Sequence, residues 1–239
     1  MVEIQENLVE YGKQFQKMII TALMPMKGVS ERVPNKNMRS FGGVPLYAVM
    51  MEKLAASKYV DRICVNTDSE IIGADIATRF PEVLVHKRPV ELLGHDVPMN
   101  HIIEYDLSKL EGEWFLQTHS TNPLLTTQTL DQAIETFMEK VDLFDSVFSV
   151  SRFQTRLYWQ DGRAVNHDPA VLLKTQDLPP IYEENSCFYL FSRHSFAAAG
   201  QKRIGNKPWM FEIPRLEAID IDEPEDFVLA EFMHQFTKQ

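Results

Sequence analysis

From Met18 onward, short apolar runs alternate with stretches of helical spacing, and this rhythm restricts the fold more than any other feature of the chain. MIITALMP (18–25) reads as a buried strand ending at Pro25. RICVNT (62–67), VLVHK (83–87), WFLQTHS (114–120) and SVFSV (146–150) read as four more. Helices are expected near 45–57, over 70–79 behind the starters Asp68 and Ser69, near 99–110, and from a Thr126 or Thr127 cap to about Lys140. Strands alternating with helices mean an α/β fold, with a mainly parallel sheet flanked by helices on both faces. Ligands of such sheets bind beyond the carboxyl ends of the strands, so the loops after Pro25, Thr67, Lys87 and Ser120 are the candidate sites.

The rhythm breaks over residues 151–184, a polar and aromatic excursion with a turn at Asp161–Gly162 and a double proline at 179–180. It reads as an insertion of hairpin and loops. Strands are expected again at CFYLF (187–191) and RLEAIDI (215–221), before a last helix that starts at Pro224, where a proline suits the first turn. Ahead of the body (18–239), residues 1–17 place Ile4, Leu8, Tyr11 and Phe15 at helical spacing, which suggests an amphipathic extension.

Charge narrows the partners. A net charge of −10 argues against nucleic acid, whose phosphates call for clustered Lys and Arg. No apolar run approaches the roughly 18 residues of a membrane span, and the acidic, polar N-terminus does not read as a signal peptide. Cys64 and Cys187 sit within apolar runs and read as buried free thiols of a reducing compartment, so a cytoplasmic location is expected.

The loop KGVSERVPNKN (27–37) directly follows the first strand and gathers Lys27, Arg32 and Lys36, with Arg39 just beyond, around Gly28, Ser30 and Asn37. A glycine lets backbone N–H groups approach phosphate oxygens, and the cations neutralise them. Neither a Walker loop nor a G-x-G-x-x-G pattern is present. A solvated basic loop is the plain alternative. Near the C-terminus, Asp220 and Asp222 are spaced to point the same way from an expected strand end, and paired carboxylates suit Mg²⁺. The plain alternative there is that Asp222 caps the last helix.

In these motifs the chain resembles the acylneuraminate cytidylyltransferases, which make CMP-activated sialic acids, related nonulosonic acids and KDO. The S-x-x-x-P-x-K-N pattern is met by Ser30, Pro34, Lys36 and Asn37, and G-x-P-L by Gly43, Pro45 and Leu46. NTDSE (66–70), RPVEL (88–92), HSTNPLLT (119–126), TQDLPPIYEENSCFYLF (175–191) and IDIDEPEDFVLAE (219–231) follow in the family's order. The resemblance implies a Rossmann-like nucleotidyltransferase fold with an inserted dimerisation segment, CTP and an acidic sugar as substrates, Mg²⁺ as cofactor, and a homodimer. It places Lys27, Gly28, Ser30, Lys36, Asn37 and Arg88 at the nucleotide, with Lys27 and Lys36 on the phosphates. Gln117, Ser120, Thr121, Asn122, Tyr182 and Asn185 fall at the sugar, and Asp220 and Asp222 on the metal and in catalysis. Arg156 and Lys174 fall more loosely toward the sugar's carboxylate. Lys27 stands where the family usually has Arg, Leu125 replaces a common Arg, and Glu31–Arg32 departs from the sialic-acid pattern. The acceptor therefore stays open between a sialic-acid relative, KDO and another sugar, with a non-catalytic nucleotide-binding relative as a further alternative.

His119, preceding STNP, lines the pocket or satisfies a local hydrogen bond; Met24 and Met26 read as packing; Tyr158 and Trp159 as interface anchors or core.

Overall fold

A computed structural model of the chain describes residues 18–94 and 96–237, so the extension over 1–17 lies outside the described residues. The strands are β1 (Ile20–Leu23), β2 (Ser40–Phe41), β3 (Val44–Pro45), β4 (Val60–Thr67), β5 (Leu84–Lys87), β6 (Trp114–Thr118), β7 (Ser146–Phe153), β8 (Ile181–Ser192) and β9 (Pro208–Glu212). The helices are α1 (Leu46–Ala56), α2 (Glu70–Arg79), α3 (Met99–Lys109), α4 (Thr127–Met138), α5 (Arg193–Ala198) and α6 (Pro224–Thr237). Seven strands make the main sheet, in the order β5-β4-β1-β6-β8-β7-β9, and β2 pairs with β3 in a small hairpin of its own.

β1 lies parallel to β4 and β6, and β4 to β5. β8 runs antiparallel between β6 and β7, and β9 closes the edge parallel to β7. The chain builds outward from β1 to β4 and β5, then returns to add β6 on the other side of β1. That reversal opens a crevice between the carboxyl ends of β1 and β6, where open α/β sheets bind ligands. β1 can sit at the centre because all four of its residues are buried. Its alternate side chains feed both faces: Ile20 and Ala22 pack with Met50, Leu54, Leu130 and Phe137 of α1 and α4, while Leu23 packs with Ile103, Leu107 and Phe191. A third cluster joins Val33 of the β1 loop to Phe41, Leu46, Ile221 and Phe227, pinning the basic loop against α6.

The expected α/β architecture is present, and locally coded elements fall where their signals stand. α2 begins behind Ser69, whose hydroxyl accepts the Ile72 N–H, and Thr126 caps α4. Two expectations need correction. Residues 215–218 form a turn and 219–221 run on irregularly rather than as a strand, because Ile221 gives its N–H to Thr121 O and its side chain to the α6 cluster. The strand in this part is β9, PWMFE, whose Trp209 and Phe211 pack inward while Met210 and Glu212 face out. β7 and β8 also reach further than expected, so the excursion shortens to residues 154–180. The Asp161–Gly162 turn closes a bridge between Tyr158 and Ala164, with Gly162 at φ 84°. No helix among the described residues is long and apolar enough to cross a membrane.

Candidate active site

A cleft of about 310 Å³ opens at the crevice between β1 and β6. Lys27, Ser30, Arg32, Lys36 and Asn37 stand in one wall and His119, Ser120 and Thr121 in another, with Asp222, Met99 and Met26 also in the lining. The anticipated basic loop, the Ser120–Thr121 pair and one of the two aspartates are thus brought together from segments far apart in sequence.

The loop is shaped by its own polar groups. Asn37 is buried; its Nδ2 donates to Lys27 O at 2.9 Å, and its Oδ1 accepts from Ser120 Oγ at 2.7 Å. This residue ties the β1 loop to the loop after β6, so its amide is already committed. The Gly28 N–H donates to Asp68 Oδ1 at 2.6 Å, and a Cβ at Gly28 would come within 2.7 Å of Ser69 Cβ. Only glycine lets the loop run this close to the start of α2. Asn35 adopts φ 55° ahead of the short turn that presents Lys36.

Lys36 donates to Ile221 O at 2.5 Å and lies 3.6 Å from Asp222 Oδ1. Arg32 bridges Asp222 and Glu223, each at 2.8 Å. Asp222 does not cap α6: its carboxylate meets Arg32 and Lys36 and, among the described residues, no α6 N–H, while Asp226 Oδ2 reaches back to accept the backbone N–H groups of Asp222 and Glu223. The Asp222 carboxylate is left to face the cleft. Asp220 Oδ1 is buried with no hydrogen-bond partner. Burial raises the Asp220 pKa; the Thr121 hydroxyl offsets this, and the neighbouring Asp222 charge adds to it. An orphaned carboxylate oxygen beside a second, half-exposed carboxylate is a donor set that fits a divalent cation.

His119 is held near neutrality. Burial, then the Arg203 charge, lower its pKa to about 4, with Asp222 opposing and Lys36 assisting. It contacts Gln117 Nε2 at 3.1 Å, so both anticipated readings hold at once: it lines the cleft and makes a local hydrogen bond.

Other anticipated residues stand back from the cleft wall. Arg88 is buried and donates to Asn66 Oδ1, Met26 O and Asn66 O, bracing the end of β1 against β4. Asn66 in turn donates to Asp106, which also engages His86 at 2.8 Å beside Cys64. The Cys64 and Cys187 thiols are free and buried, as expected, and burial pushes both pKa values up. Asn122 is buried with neither amide atom partnered. Asn185 accepts from Ser149 Oγ at 2.6 Å and donates to Ser151 Oγ at 3.1 Å, supporting the irregularity at Ser186, where φ is 59°. Tyr182 is exposed on β8, beyond the cleft-lining residues. Met24 and Met26 are core residues, although Met26 also touches the cleft. Gln117 is fully buried and accepts from Arg203 Nη1 at 2.6 Å. Arg203 escaped notice in the sequence because no motif marks it and 86 positions separate it from Gln117.

Fold and site together define an α/β protein with a basic loop at the switch point of its sheet. The cytidylyltransferase family model matches residues 21–234, and the chain belongs to that family. Among its relatives is the post-translational flagellin modification protein B of Campylobacter coli, 25% identical over 219 residues, covering 87% of this chain and 91% of that protein. The CMP-N,N'-diacetyllegionaminic acid synthase of Legionella pneumophila is 27% identical over 236 residues, covering 93% of this chain and 99% of the relative. The solved structure of CMP:2-keto-3-deoxy-manno-octonic acid synthetase complexed with CTP superposes with a TM-score of 0.67 at 10% identity, covering 92% and 99% of the two chains.

Proposed function

We propose that the chain transfers CMP from CTP to the anomeric hydroxyl of an acidic 2-keto-3-deoxy sugar of the nonulosonic type, releasing pyrophosphate. The observation that carries this reading is the convergence, in one cleft of a cytidylyltransferase-family chain, of the Lys27–Asn37 loop, Ser120, Thr121 and Asp222. The acceptor hydroxyl attacks the α-phosphorus and releases its proton to solvent as the new P–O bond forms, while the bond from the α-phosphorus to the bridging oxygen breaks and that oxygen leaves with pyrophosphate. Lys27 and Lys36 stand where they can stabilise the triphosphate and the charge that grows on pyrophosphate. Asn37 and Ser120 hold the two walls in register, which fixes donor against acceptor.

Asp220 and Asp222 would hold Mg²⁺, which when bound neutralises phosphate charge and polarises the α-phosphoryl group. The Arg32–Asp222 pair is half exposed and is an inexpensive contact to surrender. We also assign a homodimer formed through residues 154–180, where Tyr158, Trp159, Val171 and Leu172 present exposed apolar side chains. An acceptor of the legionaminic kind is favoured by the Legionella relative's name and coverage.

The test is a screen of CTP, UTP, GTP and ATP with Mg²⁺ against N-acetylneuraminic acid, N,N'-diacetyllegionaminic acid and KDO. Pyrophosphate release and the mass of the sugar nucleotide are read. The expected product is a CMP-sugar from CTP and a nonulosonic acid. Absence of product with every acid would sink the transferase reading.

A further inference from the structure

Arg203 lies between α5 and β9, behind the His119 wall of the cleft. Its Nη1 donates to Gln117 Oε1 at 2.6 Å, and its guanidinium carbon stands 3.6 Å from the centroid of the Tyr189 ring. Gln117 on β6 is directly opposite Tyr189 on β8, so the arginine is clamped at a defined point of the sheet. Its backbone N–H reaches Asn100 Oδ1 at 3.4 Å, next to the cleft residue Met99.

This cation is only partly compensated. It is half buried, and none of the ion pairs among the described residues includes it. Glu184, a nearby carboxylate, is engaged by the Tyr189 hydroxyl instead. Burial lowers the Arg203 pKa, although a guanidinium remains charged. Glu184 attracts the guanidinium only partly, since burial outweighs it, and the remaining cost is relieved when a second anion arrives. A guanidinium carries five N–H donors in a planar fork shaped for carboxylate, and here the Gln117 bond engages one of them.

Position selects which anion. The phosphate-side cations Lys27, Arg32 and Lys36 come from the loop after β1. Arg203 stacks on β8, two strands further across, which is on the order of 10 Å at the usual strand spacing. That places it on the side of the cleft formed by β6 and its loop, away from the triphosphate cations.

We propose that Arg203 binds the carboxylate of the acceptor sugar through its unengaged N–H groups, with Gln117 and Tyr189 fixing the plane of the guanidinium. The proposal rests on the transferase reading above and names the group that selects acidic acceptors.

The experiment uses the full chain with CTP, Mg²⁺ and the three sugar acids already named, each offered as the free acid and as its C1 methyl ester. The wild type is expected to use the acid about 10- to 100-fold more efficiently in kcat/KM than the ester, the range of one or two charge-assisted hydrogen bonds. Arg203→Gln should raise KM for the acid by a similar factor, erase the acid–ester preference and leave KM for CTP within about twofold. Arg203→Lys should keep part of the preference. Equal use of acid and ester by the wild type overturns the proposal without recourse to any variant. So does an Arg203→Gln protein that still binds CTP and keeps the preference. A wild type that makes no product from any acid fails at the earlier step, and removes the transferase reading together with this one.

Discussion

Asp220, buried behind Asp222, and His119 in the cleft wall have opposite consequences for stability. Burial favours the protonated form of the Asp220 carboxyl, so its folded-state pKa lies above the unfolded value and stability is lost as pH rises through that range. Asp220→Asn removes a poorly solvated charge from a buried, unpartnered oxygen. At neutral pH the variant should unfold at a higher temperature, by about 1 kcal/mol of added stability, while turnover falls by about 100-fold or more. Calorimetry and pyrophosphate release check both. A lower melting temperature would show that the charge is compensated in the folded chain. His119 works the other way. Its folded pKa of about 4 lies below the unfolded value, so the unfolded chain takes up the proton first. Its contribution is complete above about pH 6.5 and drains away as pH falls toward 4. Urea unfolding at several pH values should give a shallower acid limb for His119→Gln than for the wild type; an identical limb would remove His119 as a cause.

At the scale of elements, α6 shows what lies behind a motif. Pro224 begins the helix as its position suggested, and it is Asp226, inside the first turn, that reaches back to the N–H groups of Asp222 and Glu223. Asp226→Ala should cost about 1 kcal/mol, because the two backbone N–H groups it accepts lose their partner. Because it also releases the backbone that aims Asp222, kcat should fall with it, and Asp226→Asn should recover both. Loss of stability with unchanged kcat would mean that Asp222 is held by Arg32 and Lys36 alone. α2 and α4 were legible in the sequence because their caps act within three residues. The IDIDEP segment misled because alternating Ile219, Ile221 and Asp side chains imitate a strand, whereas the N–H of Ile221 is taken by Thr121, a hundred positions earlier. β9 was overlooked for the converse reason: its pattern is short, and its inward side is defined by Trp209 and Phe211 meeting the core. The same limit hid Arg203, whose meaning depends on Gln117 and Tyr189 rather than on its neighbours in the chain.

For the molecule as a whole, the alternation after Met18 was enough to place the basic loop at the switch point, since β1 is central and fully buried. What it could not place was the excursion over 154–180, which joins antiparallel β7 and β8, buries Leu178 and sends Tyr158, Trp159, Val171 and Leu172 outward. Leu172 is 91% exposed, and Trp159 and Tyr158 are more than half exposed, so the core alternative for the two aromatics does not hold. Such side chains gathered in one insertion call for a cover, and in the proposed homodimer a second copy related by a twofold axis would supply one by matching the same patch to itself. Trp159→Asp combined with Leu172→Asp should therefore convert a dimer to a monomer in sedimentation equilibrium while the central fold keeps its circular dichroism. If the excursion serves association alone, KM for CTP will be unchanged in the monomer; if a partner closes the acceptor side, KM for the sugar acid will rise by about tenfold or more. A wild-type chain that sediments as a monomer across micromolar concentrations would remove the dimer assignment.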